Sequence, residues 1–179
     1  MTMRFLLTVL VLASSVLAAE PAVLTPTAEN LYARWTGEWT GVLEYRDYRP
    51  PHGRVALPTT LAVTPAPDTA ALILRFVYDD GPTKKVKSTS RLVFDPAARR
   101  LTWSDDGKPA SPEDNFTLTE ASADGAHLVF LGSAMDDKKL SRIRYTFISA
   151  PGTWRILKET TSDGPDFAFR HEYRFTRER

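Results

Sequence analysis

The chain is 179 residues long, 42% hydrophobic and 25% charged, with 23 Lys and Arg against 22 Asp and Glu. That composition excludes a disordered or collagen-like chain, and the length fits one domain behind an N-terminal extension. The absence of cysteine excludes a disulfide framework, thiol catalysis and thiolate metal sites. A net charge of +1 lacks the basic excess that nucleic-acid binding calls for.

Arg4 precedes an apolar run from Phe5 to Leu17, and Val16 and Ala18 are the small residues of a cut after Ala18. This predicts a secretory signal peptide over 1–18 and a mature domain over 19–179, periplasmic or secreted. Arg4 is the one charged residue of that segment, so cleavage leaves 22 basic against 22 acidic residues. No later stretch is apolar enough to cross a membrane as a helix.

Thr25-Pro26 has the form of a helix N-cap followed by proline in the first turn. Leu31, Tyr32 and Trp35 follow at helical spacing, which predicts a short helix from Pro26 to Arg34, ended before Gly37. From Glu38 to Tyr48 the residues alternate, with Trp39, Gly41, Leu43 and Tyr45 on one face, as in a half-buried strand. Arg49-Pro50-Pro51-His52-Gly53 breaks that strand.

Further strands are predicted over 57–64, 70–78, 86–94, 101–103, 116–119, 127–132, 140–148, 154–160 and 167–176. Proline, glycine and aspartate clusters separate them, among them Asp79-Asp80-Gly81-Pro82, Asp105-Asp106-Gly107, Asp136-Asp137 and Pro151-Gly152. No helical pattern lies between the strands, so parallel βαβ units are not expected. The fold class expected is all-β: about ten antiparallel strands in an up-and-down barrel with a short N-terminal helix, because closure removes both sheet edges. A two-sheet sandwich is the alternative.

A short helix, Gly37-Glu38-Trp39 opening the first strand, and the basic aromatic segment Tyr173-Arg174-Phe175-Thr176-Arg177 at the end together resemble the calycins, the lipocalin and fatty-acid-binding group. The likeness in pattern is greatest to exported bacterial lipocalin-like domains of unknown function. The resemblance implies that Trp39 plugs the barrel floor, that Gly37 permits close approach there, and that Arg174 or Arg177 lies across the indole. Fatty-acid-binding members hold a carboxylate with an inward Arg-x-Tyr pair. Here the same phase gives His171-x-Tyr173, with Arg170 and Arg174 on the opposite face. Haem-binding relatives of nitrobindin type place a histidine ligand where His171 falls, although their longer N-terminal glycine-tryptophan pattern is missing. No cofactor is otherwise expected, haem through His171 being the exception.

On the last strand Phe167, Phe169, His171, Tyr173 and Phe175 share one face. If it points inward, His171 and Tyr173 are polar handles in an apolar cavity, as small-molecule sites require. The alternative is a core histidine satisfied by its neighbours. Tyr45, Phe76, Tyr78, Trp103, Phe130, Tyr145 and Phe147 fit the remaining lining. His52, His127 and His171 lack metal-ligand spacing. No nucleophile elbow occurs, and the paired aspartates fall in turns, where they serve turn geometry. These readings lead to a protein holding a small apolar or amphipathic molecule. The alternatives are a filled barrel acting as a structural or interaction module, and an enzyme pairing His171 with Glu159 or Arg144.

Overall fold

A computed structural model describes residues 26–48, 50–67 and 70–178. The expected signal peptide and Thr25 lie outside the described residues. Helix α1 (Ala28–Trp35) precedes ten strands. They are β1 (Gly37–Arg46), β2 (Arg54–Pro65), β3 (Leu72–Asp79), β4 (Lys85–Asp95), β5 (Arg100–Asp105), β6 (Asn115–Ala121), β7 (His127–Asp136), β8 (Lys139–Ala150), β9 (Thr153–Thr161) and β10 (Ala168–Arg177). Each strand pairs antiparallel with its chain neighbour, and β1 pairs with β10, so the barrel is closed and up-and-down. A three-residue 3-10 turn, Pro112–Asp114, lies between β5 and β6.

The helix begins two residues later than its sequence predicts, at Ala28, and ends one residue later, at Trp35. Thr27 caps it, its hydroxyl accepting from the Asn30 amide at 3.3 Å. Its apolar residues Leu31 and Trp35 are both 1% exposed, which makes the helix a lid over one end of the barrel. Two side chains fasten it there. The Tyr32 hydroxyl donates to the Ala70 carbonyl (3.0 Å) and accepts from the Phe94 amide (2.8 Å). Arg34 donates to the Asp124 carbonyl at 2.9 Å.

Behind this lid the floor is built of tryptophan. Trp35 and Trp154 stack with centroids 5.4 Å apart and planes 7° from parallel. Trp39 tilts against Trp154 at 5.7 Å, its indole N–H donating to the Trp35 carbonyl at 2.9 Å. The Arg177 guanidinium lies 4.3 Å above the Trp39 ring and donates to the Thr36 and Arg34 carbonyls, each at 2.6 Å. Those carbonyls belong to the helix terminus, where intrahelical donors run out and a cation is favoured. Gly37 has φ +135°, and a Cβ there would sit 2.5 Å from the Arg177 guanidinium. At Gly41 a Cβ would meet the Arg174 carbonyl oxygen at 1.9 Å, so the β1–β10 seam closes only over glycine.

Arg174 does not reach the tryptophan. It faces outward, donating to Glu44 on β1 at 2.8 Å and to Glu172 at 2.6 Å. The reason is phase: Arg174 is opposite Val42, whereas Arg177 is opposite Trp39.

Two local irregularities alter the inward face. A bulge between Phe169 and His171 leaves Arg170 unpaired and shifts the phase of β10 by one. Ala168 thereby takes the inward position, while Phe169 lies outside under Arg54 (4.0 Å) and Phe167 under Arg144 (4.5 Å). The expected continuous aromatic face therefore stops at His171. The second irregularity is the β7–β8 hairpin, which turns in two residues, Asp137 (φ 47°) and Lys138 (φ 66°). Positive φ at both positions matches the hairpin's own twist. Asp136, expected in the turn, is instead the last residue of β7, opposite Lys139.

Arg177→Ala is expected to lower unfolding free energy by about 2–4 kcal/mol, from two charge-assisted hydrogen bonds and the stacking on Trp39. Arg177→Lys is expected to recover only part of it, because an ammonium lacks the planar fork. Urea denaturation reads both. A loss below about 0.5 kcal/mol, the range of ordinary surface changes, would contradict this role.

Candidate functional site

Residues directly opposite in paired strands face the same side of a sheet, so the register assigns the interior. In the half nearest the helix it is solid: Leu61, Leu72, Leu92, Leu101, Leu128, Phe130 and Ile156 are all fully buried. Phe94 meets Phe130 edge-on at 6.1 Å, and Phe130 meets Phe147 at 5.5 Å. In the far half the inward residues Leu43, Tyr45, Tyr78, Trp103, Tyr145 and His171 are only half-buried. The barrel thus has a packed floor and a far half, called the cup, whose inward side chains are less deeply buried and whose mouth carries a pocket beside Asp136, Ser141 and Thr160.

The cup's wall is aromatic. Trp103 stacks on Tyr145 across the barrel at 5.3 Å, and Phe76 packs on both Tyr78 (5.8 Å) and Tyr173 (5.2 Å). The hydroxyls of Tyr78 and Tyr173 hydrogen-bond each other at 3.0 Å. Around the rim, pockets of about 330 Å³ beside Tyr48, Asp136, Ser141 and Thr160, and of about 340 Å³ beside Ser90, Trp103 and Lys108, open to solvent.

Where the wall meets the rim there is a charged group. Asp136 on β7 receives Lys158 of β9 at 3.2 Å and the Arg170 Nε–H of β10 at 3.1 Å to each oxygen. The two cations hold the Asp136 carboxyl below the ordinary carboxylate range against the opposing effect of burial. Lys158 is inward because it lies opposite both Tyr145 and His171. Arg170 reaches inward because the bulge turns it there.

His171 sits beneath this group, its ring 5.4 Å from that of Tyr173. Dehydration first, then the positive fields of Lys158 and Arg170, push its pKa down to about 3. It is a neutral imidazole throughout the physiological range. Among the described residues neither of its nitrogens has a hydrogen-bond partner. The same holds for the Tyr45 and Tyr145 hydroxyls and the Trp103 indole N–H. Burial and the Asp136 charge raise the Tyr145 pKa far above its usual value, so that hydroxyl keeps its proton.

The nine residues expected to line a cavity therefore divide. Phe130 and Phe147 are at most 1% exposed and belong to the floor, and Phe76, 2% exposed, is the buried base of the wall under Tyr78 and Tyr173. Tyr45, Tyr78, Trp103, Tyr145 and His171 line the cup, and Tyr173 stands at the boundary, 8% exposed and engaged with Tyr78. Arg144 and Glu159, considered as partners for His171, pair with each other at 2.8 Å. Both lie on the outer face, opposite each other and out of phase with His171. Sequence reasoning missed Asp136, Lys158 and Arg170. Lys158 had a signal, since Trp154, Ile156, Lys158 and Thr160 alternate; the bulge and the hairpin length had none.

Closed topology, helical lid and tryptophan floor define a calycin-like β-barrel. Among solved structures, the S-type phycobiliprotein lyase CPES from Guillardia theta superposes with a TM-score of 0.58 at 9% identity, covering 86% of this chain and 94% of that one. At that identity the likeness is one of fold. No family model matches the sequence, and no curated protein matches it.

A histidine whose folded pKa lies below its unfolded value of about 6.5 binds fewer protons folded than unfolded. Its contribution is intact above pH 6.5 and declines as pH falls toward 3. Stability is thus expected to drop by up to about 1.4 kcal/mol per pH unit below pH 6.5. Asp136, with a depressed pKa, adds its own loss only near and below pH 4. Urea denaturation at pH 7, 6 and 5 should show the slope, and His171→Gln should flatten it. An unchanged slope in that variant would contradict the assignment.

Proposed function

We propose that this chain is an exported binding protein that holds a small apolar or amphipathic molecule in the open half of its barrel. One observation carries the reading. Four inward polar groups, on His171, Tyr45, Tyr145 and Trp103, have no hydrogen-bond partner among the described residues and stand in an aromatic wall at the far end of the barrel. Interior polar groups of folded proteins are ordinarily satisfied. A wall with neutral donors and acceptors left over, set among large aromatic faces, has the make-up of a small-molecule site.

The chemistry favours holding over turnover. A general base works best with a pKa near the operating pH, and an imidazole titrating at about 3 is a weak base. Its neutral ring instead offers one donor and one acceptor. Export is the reading of the N-terminal segment and belongs to the same proposal. The barrel shared with the phycobiliprotein lyase supports it only as a matching shape.

N-phenyl-1-naphthylamine, a neutral apolar dye that brightens on leaving water, tests the reading. It is expected to bind the purified protein with a saturable rise in fluorescence. Ala134 faces the cup opposite Ser141, is half-buried and packs at the edge of the core, so Ala134→Phe adds bulk to the far half. That variant should weaken binding about tenfold or more, the effect of lost apolar contact and a steric block, while melting cooperatively. No saturable binding, or equal binding by Ala134→Phe, would overturn the proposal in favour of a filled barrel acting through its surface.

A further inference from the structure

The charged group at the top of the cup holds two cations and one carboxylate, and that imbalance bears on the ligand. Lys158, Arg170 and Asp136 have side-chain exposures of 14%, 24% and 10%. They are screened far less than surface charges. Asp136 engages one of the three Lys158 donors and only the Nε–H of Arg170. The terminal guanidinium nitrogens have no hydrogen-bond partner among the described residues; the Arg170 guanidinium carbon lies 5.0 Å from the Tyr48 ring. A carboxylate satisfies an arginine best through two parallel bonds, and here the remaining donors are left over. These three groups sum to one positive charge, and the mouth pocket that Asp136 borders is lined further by Arg46, Lys139, Asp137, Asp163 and Asp166.

That surplus is felt inside the cup. At His171 the fields of Lys158 and of Arg170 each outweigh that of Asp136. Next to Lys158 in the register lie the unpartnered His171 nitrogens and the Tyr145 hydroxyl, within the aromatic wall.

We propose that the molecule held in the cup carries an acidic head group, which binds Lys158 and Arg170, and that Asp136 is an internal substitute for that head group when the cup is empty. This rests on the reading of the cup as a binding site and adds two things to it, the charge class of the ligand and a residue that competes with it. The head is a carboxylate, sulfonate or similar single anion. Its entry either displaces Asp136 from one cation or joins it on the unused donors. In both cases the Asp136 charge opposes binding, and affinity is set by how firmly the protein's own carboxylate is held.

Two dyes with the same flat body separate this from the underlying reading. 8-Anilinonaphthalene-1-sulfonate carries an anionic group that N-phenyl-1-naphthylamine lacks. Titrations of the purified protein, with a cooperative melt confirming that the core is not loosened, are expected to give about tenfold or tighter binding of the sulfonate, the effect of one charge-assisted pair. Lys158→Met should bring the ratio of sulfonate to neutral-dye affinity down to about one, and Asp136→Asn should raise that ratio severalfold through tighter sulfonate binding. Equal binding of both dyes by the wild type would overturn the acidic-head inference while leaving the cup as a site. Weaker sulfonate binding by Asp136→Asn would overturn the role of Asp136. Failure of both dyes to bind the wild type would instead remove the binding reading itself, and this inference with it.

Discussion

The structure depends on one arginine held between a ring and a helix end. Arg177 lies on Trp39 and simultaneously donates to the last carbonyls of α1. It therefore joins three things that chain connectivity alone does not: the last strand, the first strand and the lid. A ten-stranded sheet exposes two edges until β1 and β10 meet. The arginine fixes the meeting point by matching the residue opposite Trp39 to the residue that caps the helix. Outside the wall, Glu44, Arg174, Glu172 and Arg155 continue the seam as a chain of ion pairs. Exposed pairs of that kind add little each; the inner clamp sets the register.

From that register the division of the interior follows. With the floor occupied by stacked tryptophans and the leucines behind them, apolar burial is concentrated at one end. The far end is left to tyrosines, Trp103 and His171, whose rings pack on one another, Trp103 on Tyr145 and His171 on Tyr173. Side chains of this size normally anchor a core. Here they are only half-buried because the strands carry them beyond the level at which the barrel is filled. One hydrophobic interior is thus divided into a packed floor and a less buried far half that rests on it.

Much of this could be read from the residues. Period-two alternation and turn chemistry gave the ten strands and the closure, and the Gly37-Glu38-Trp39 run located the floor. The pairing of Trp39 with Arg177 was legible as a choice between two arginines, decided only by the register. The charged rim was not legible. Arg170 enters the interior through a bulge that no residue type announces, and Asp136 does so because the hairpin turns in two residues, well short of the gap expected between strands 127–132 and 140–148. Both are one-residue effects, and in a strand one residue exchanges inside for outside. Aspartate beside aspartate reads as turn and solvent, and only tertiary pairing with Lys158 places it otherwise. Whether the interior was filled was also beyond sequence, since a packed aromatic core and a lined cavity have the same composition.

The most direct test of the cup is the accessibility of its tryptophan. The chain has 4 tryptophans; Trp35, Trp39 and Trp154 are at most 2% exposed in the floor, and Trp103 is half-buried in the wall. Acrylamide, small and uncharged, enters open space but not a packed core. Quenching of the native fluorescence should resolve one accessible component, lost in Trp103→Phe and protected when N-phenyl-1-naphthylamine is bound. An accessible component that survives Trp103→Phe, or no accessible component at all, would contradict an interior that is solid below and open above.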